Sequence, residues 1–233
     1  MPRPAPPEII AHRGTPREHP ENSLSGFRRA LEHGADAVEL DVHVTADGVP
    51  VVHHDADLHA GVHAGRAIAD LSAAAVCATE LAPGVRVPAL AAVLAAVAPR
   101  ATVYVEVKAR GAEHAVAAAV AALGARAPVH SFDHRVSRLV GALAPGTPVG
   151  VLSTSYLVDN AAALRAAGAR DLWQHWTMID AALVAEAHAA GARVIAWTVN
   201  DLGVARALAA DGVDGLCTDD PGLLRSAFPR AAS

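Results

Sequence analysis

Short apolar runs alternate with longer Ala- and Leu-rich segments along this chain, and the alternation predicts repeated strand–helix units. Strand candidates lie at residues 8–12, 37–43, 50–53, 102–108, 128–131, 148–152, 170–175, 193–199 and 214–218. Helix candidates fall between them at 22–33, 90–98, 112–123, 134–143, 159–167, 180–190 and 202–210. Gly34, Gly168, Gly191 and Gly212 stand where helical segments end, the position at which glycine turns the chain back in a left-handed cap. Strands alternating with helices imply βαβ units and a parallel sheet.

Treating 50–53 as a hairpin-like extension of its neighbour leaves eight main strands. Eight favours an α/β fold of the closed (β/α)8 TIM-barrel type over an open doubly wound sheet. No Gly-x-Gly-x-x-Gly follows the first strand, so a dinucleotide-binding sheet lacks its main signature. Residues 56–87 are the least regular and read as a short irregular insertion after the second strand, a loop with one short helix. The expected organisation is a flexible Pro-rich tail at 1–7 and a single barrel domain over 8–230.

Composition agrees with this picture and narrows the function. The 233 residues suit one barrel, and 52% of them are apolar, enough for a sizeable core. Most of the apolar content is Ala and Val, which favours close helix-to-sheet packing over an aromatic-filled interior. The formal net charge is -5 and no Lys/Arg run occurs, which argues against a nucleic-acid partner. Cys77 and Cys217 are too few and too far apart for a disulfide framework or a cysteine-ligated metal. The start of the chain carries no secretory apolar run, and no segment is apolar enough to span a bilayer, so a cytoplasmic protein without stable membrane insertion is expected.

The informative positions are those where polar residues interrupt the strands. Parallel barrel strands should be nearly continuous apolar runs. Val38-Glu39-Leu40-Asp41-Val42 instead sends two carboxylates to one side, because side chains alternate along a strand. Val105-Glu106-Val107-Lys108 adds a carboxylate and an ammonium in the same alternation. Buried charges cost several kcal/mol unless paired or metal-bound, so Glu39, Asp41 and Glu106 make an oxygen-rich site for a divalent cation. Histidines end two other strands: Ala11-His12-Arg13-Gly14 and His53-His54-Asp55. Histidine exchanges protons near neutral pH, and the planar fork of Arg13 matches phosphate oxygens. Most of the 13 histidines must be bystanders; His33, His63, His114 and His188 read as surface or helix residues.

The blocks His12-Arg13-Gly14, Pro20-Glu21-Asn22-Ser23, Glu39-Leu40-Asp41-Val42, Asp47 to Val52 and His54-Asp55 closely resemble the glycerophosphodiester phosphodiesterase family. The likeness continues through Glu106-Val107-Lys108, Ser131-Phe132-Asp133, Trp197-Thr198-Val199-Asn200, Gly212 to Gly215, Thr218-Asp219 and Pro221, in order over nearly the whole chain. The resemblance implies a TIM barrel with its active site at the C-terminal strand ends. It implies Glu39, Asp41 and Glu106 as ligands of one divalent cation, Mg²⁺ or Ca²⁺ with Mn²⁺ a third option. His12 and His54 would be the acid/base pair, with Asp55 orienting His54. Arg13 and Lys108 would hold the phosphate of a glycerophosphodiester, while Phe132 and Trp197 would line its apolar side. His53 and His54 are neighbours and must point apart; the family register selects His54. His43 shares the parity of Glu39 and Asp41, though the motif does not require it. Ser23 is expected to cap the first helix.

Three rival readings remain. A sphingomyelinase D-like enzyme would be expected to carry a disulfide-stapled loop and a membrane-facing rim. A lysophospholipase D-type activity needs only a wider pocket. A non-catalytic phosphate-binding barrel should lack one of His12, His54, Glu39, Asp41 or Glu106, and all are present.

Overall fold

The computed structural model describes residues 6–230, so residues 1–5 of the expected Pro-rich tail lie outside the described residues. Among the described residues, eight parallel strands form the barrel: β1 (Glu8–His12), β2 (Ala37–Val44), β3 (Thr102–Val107), β4 (Val129–Ser131), β5 (Val149–Ser153), β6 (Asp171–His175), β7 (Arg193–Trp197) and β8 (Gly215–Thr218). β1 pairs in parallel with both β2 and β8, which closes the sheet into a cylinder. Pro50–Val52 folds back antiparallel on the upper end of β2, pairing Val42 with Val52 and His43 with Val51. It is the hairpin extension expected from the sequence.

Helices cover the outside of the cylinder. Val and Ala from the strands meet Ala, Val and Leu from the helices in two large buried clusters, one on each side of the barrel. Small side chains let helix and strand approach closely, as the composition implies. Ser23 caps the first helix, Leu24–Glu32, by accepting from the Gly26 N–H at 3.1 Å. The four helix-ending glycines all take positive φ.

The interior departs from the expectation of small apolar filling. Tyr104 and Trp173 occupy it edge to face, 5.0 Å apart, with Ile10, Leu152, Ile195 and Cys217 around them. The N-terminal end is shut by polar groups. The Tyr104 hydroxyl donates to Glu8 at 2.9 Å, Arg193 reaches Glu8 at 2.5 Å, and Arg170 forks onto the buried Asp171 at 3.0 and 2.5 Å. Each charge there has a partner, which removes much of the cost of burying it.

Two local expectations need correction. Residues 56–87 do hold one short α-helix, Ala73–Cys77, but they also form two 3-10 turns and an antiparallel ribbon, Glu80–Ala82 with Val85–Arg86. These pieces enclose an apolar cluster of their own, built on Leu58, Ile68, Leu71, Val76 and Val87. A last helix, Pro221–Ala227, is absent from the helix candidates. It is short, but Pro221 in its first turn and the Asp220 cap on the Leu223 N–H give it the ordinary start of a helix.

Candidate active site

Strand register assembles the site at the C-terminal end of the barrel. His12 lies beside Glu39, Asp41 beside Glu106, and Glu106 beside His130. Period two along β2 turns Glu39, Asp41 and His43 to the same side. His12, Arg13, Glu39, His54, Glu106 and Lys108 line one open cavity, whose remaining wall includes His130, Phe132, Trp173 and Trp197.

The turn after β1 is built for close approach. Arg13 takes a left-handed φ of 53°, rare for a residue with a side chain. Its N–H donates to the Glu39 carbonyl at 3.0 Å and its carbonyl accepts from Asn22 at 2.9 Å. Gly14 follows at φ 90°, and a Cβ there would come within 2.8 Å of the Gly26 backbone. The turn carries Arg13 Nε to 3.1 Å from Asp41 Oδ2, while Arg13 Nη1 pairs with Glu21 at 3.1 Å. Asn22 donates to the same Asp41 oxygen at 2.8 Å and accepts from the Asp41 N–H at 3.2 Å.

The three carboxylates converge but are not equivalent. Lys108 Nζ stands 2.8 Å from Glu106 Oε1 and 3.2 Å from Asp41 Oδ1. Burial and the charges of Asp41 and Glu106 push the Glu39 carboxyl well above the usual range. Burial and Asp41 raise Glu106 as well. Burial also works against the Asp41 anion, yet Arg13, Lys108 and the Asn22 hydrogen bond outweigh it and hold Asp41 low. Charge contacts from Lys108 aside, Glu39 Oε1, Asp41 Oδ1 and Glu106 Oε1 are buried without an aligned hydrogen bond. Oxygens left so are costly unless a cation satisfies them, and an oxygen-rich donor set suits a divalent ion. Ligand atoms of Glu39, Glu106 and His130 lie within 4.8 Å of one another. Asp41 stands outside that group, its Oδ2 taken by Arg13 and Asn22.

Of the histidines lining the cavity, His12 and His54 are fixed through Nδ1. His12 Nδ1 lies 2.7 Å from Asp219 Oδ1, and Asn200 holds the other Asp219 oxygen at 2.6 Å. His54 Nδ1 lies 2.8 Å from Asp55 Oδ1, and His59 Nε2 reaches Asp55 Oδ2 at 2.6 Å. The His12 contact and Asn200 outweigh burial and keep the Asp219 carboxyl low. His59 does the same for Asp55. A carboxylate accepts only, so each Nδ1 carries the proton and each Nε2 is left to exchange one. His53 turns away, donating to the Asp55 carbonyl at 2.9 Å. His43 donates to the His54 carbonyl at 3.0 Å, and burial lowers its tendency to protonate.

Phe132 and Trp197 meet edge to face at 5.6 Å on the apolar side of the cavity. Sequence reasoning gave no role to Asn22, His130 or Asp219. Asn22 and Asp219 stood in family motifs, and only the fold shows what they touch. His130 interrupts its strand as a lone imidazole, but only the strand pairing places it beside Glu106.

Residues 12–223 match the model of the glycerophosphoryl diester phosphodiesterase family. The chain belongs to this family. As a member of the glycerophosphoryl diester phosphodiesterase family it is a phosphoric diester hydrolase, as the sequence motifs imply. It is 30% identical over 228 residues to a glycerophosphodiester phosphodiesterase of Caldanaerobacter subterraneus subsp. tengcongensis, covering 91% of this chain and 94% of that protein. Its fold is similar to an Oleispira antarctica phosphodiesterase solved with the product sn-glycerol-3-phosphate, with a TM-score of 0.87, 25% identity, and 96% and 97% of the two chains covered. It is also similar to a glycerophosphodiester phosphodiesterase from Agrobacterium tumefaciens, with a TM-score of 0.83, 26% identity, and coverage of 94% and 99%. Among the described residues no helix is long and apolar enough to cross a membrane.

Proposed function

We propose that the protein hydrolyses glycerophosphodiesters to glycerol 3-phosphate and an alcohol, using His12 and His54 as the acid/base pair and one divalent cation. The observation that carries this reading is the convergence of both histidines, Glu39, Glu106, Arg13 and Lys108 on one cavity. The buried Glu39 Oε1, which has no partner, and the Asp41 Oδ1 and Glu106 Oε1 that face only Lys108 support these three as holders of the cation. When bound, a divalent cation supplies positive charge to the phosphate oxygens. Arg13 and Lys108 add charge from the protein and orient the anion. One histidine Nε2 removes the proton of the attacking hydroxyl, either water, which gives glycerol 3-phosphate directly, or the glycerol 2-hydroxyl, which gives a cyclic phosphate that water then opens to glycerol phosphate as the two histidines exchange roles. The other protonates the departing alkoxide, a division of labour typically worth about 10²–10⁴-fold. Phe132 and Trp197 offer an apolar wall to the glycerol or the leaving group.

The test is direct. Purified protein is incubated with a panel of glycerophosphodiesters, with and without Mg²⁺, Ca²⁺ and Mn²⁺, and glycerol 3-phosphate release is measured. Release without any added or residual cation would remove the metal from the reading. No release from any substrate would remove the activity.

A second reading, hydrolysis of lysolipids, has one observation in its favour. Phe132, Tyr156, Val158 and Met178 are exposed apolar residues on loops that follow β4, β5 and β6, at the end of the barrel where the cavity opens. Such a rim suits an acyl chain. Assaying glycerophosphocholine beside lysophosphatidylcholine separates the two readings.

A further inference from the structure

We propose that His130 is a nitrogen ligand of the cation, beside Glu39 and Glu106, and that it favours first-row transition ions such as Co²⁺ over Ca²⁺ and Mg²⁺. The inference rests on the metal-dependent reading above and adds to it a donor type and a selectivity.

The argument begins with register. His130 is the direct neighbour of Glu106 across the β3–β4 pairing, so period two sends both side chains into the barrel. A ligand atom of His130 lies within 4.8 Å of ligand atoms of Glu39 and Glu106. The imidazole is 1% exposed, and its Nδ1 has no hydrogen-bond partner. A histidine that only fills space in a core normally satisfies its ring nitrogens, because an unpaired buried polar atom costs about 1–3 kcal/mol.

The ring is also held in place. It stacks on Trp173 with centroids 4.2 Å apart and planes 6° from parallel. Gly150 makes room for the stack: a Cβ there would stand 3.1 Å from both the His130 Cβ and the Trp173 ring. A fixed orientation lowers the entropy lost when a ligand binds.

Donor chemistry then sets selectivity. Carboxylates alone suit Mg²⁺ and Ca²⁺, whereas imidazole adds most to the binding of Co²⁺, Ni²⁺, Cu²⁺ and Zn²⁺. Sequence reasoning, which found only carboxylates, pointed to the harder ions.

Calorimetric titration of the metal-stripped full chain with Co²⁺, Mg²⁺ and Ca²⁺ tests this, using wild type, His130→Gln and His130→Asn. The expected result is a loss of about tenfold or more in Co²⁺ affinity for both variants, with Mg²⁺ and Ca²⁺ affinity changed by less than about threefold. The visible absorption of bound Co²⁺ should change in the same variants. Circular dichroism shows whether each variant folds. Should neither fold, pulsed electron paramagnetic resonance of the wild-type chain loaded with Cu²⁺ decides: imidazole nitrogen coupling supports the assignment and its absence overturns it. Equal losses for all three ions, or none, overturn the role of His130 while leaving the metal-dependent reading intact. Failure of every ion to bind wild type overturns that reading itself.

Discussion

His12 Nδ1 and Asp219 Oδ1 are 2.7 Å apart although 207 residues separate them in sequence. Asp219 is in turn gripped by Asn200 through its Oδ2 at 2.6 Å and its backbone N–H at 2.9 Å. The carboxylate fixes which His12 nitrogen carries the proton and where the ring points. Asp219 is therefore a positioning residue. Asp219→Asn should lower kcat by about 10²-fold, toward the lower end of what acid/base catalysis supplies, with KM nearly unchanged. An unaltered kcat would remove Asp219 from the machinery.

The same contact has a pH signature. The Asp219 carboxyl is held low, so its folded pKa lies below its unfolded value of about 3.9. Its contribution to stability is present above the unfolded pKa and is lost as pH falls through the folded one. Asp219→Asn should cost about 1 kcal/mol in urea unfolding near neutral pH, and the gap to wild type should close as pH drops below about 4. A pH-independent gap would show that the lost contact does not depend on charge.

His12→Ala and His54→Ala should each reduce kcat by about 10²–10⁴-fold. Substrate binding, measured under conditions that prevent turnover, should change little. Normal turnover by either variant clears that histidine of a chemical role.

Chelation is expected to abolish activity, and a divalent ion should restore it. Glu39 Oε1 is buried without a partner, and Asp41 Oδ1 and Glu106 Oε1 face only the Lys108 ammonium. Full turnover after exhaustive treatment with EDTA would contradict the ligand role of Glu39, Asp41 and Glu106.

Lys108 sits between Asp41 and Glu106 at 3.2 and 2.8 Å. Lys108→Met leaves buried negative charge without its compensating ammonium, so the metal-free protein should lose about 3 kcal/mol of stability. Saturating divalent ion should recover part of that loss, because binding to the folded state alone adds stability. Denaturant titrations with and without cation measure both.

The sequence made the barrel legible because strand and helix periods alternate without interruption over most of its length. The pattern at Glu39, Asp41 and Glu106 was legible for a related reason: charge inside a strand that should be apolar stands out. Lys108 shares the strand alternation of Glu106, whereas His54 was chosen over His53 only through the family register. His130 was hidden among many histidines, and only the lateral neighbour relation to Glu106 singles it out. Asp219 and Asn22 act through contacts made by turns, and no periodicity reports those. The insertion at 56–87 was read only in part because its elements are two to five residues long and its apolar residues bury one another locally. The ending helix Pro221–Ala227 escaped for a similar reason, being too brief to show a period.

The polar lattice of Glu8, Tyr104, Arg193 and Asp171 sits at the opposite end of the cylinder from the cavity. It closes the N-terminal end of the cylinder, so the cavity faces outward at the C-terminal rim. A ligand of this cavity therefore enters and leaves past the loops that follow the strands, and changes to those loops would alter access without touching the charged floor.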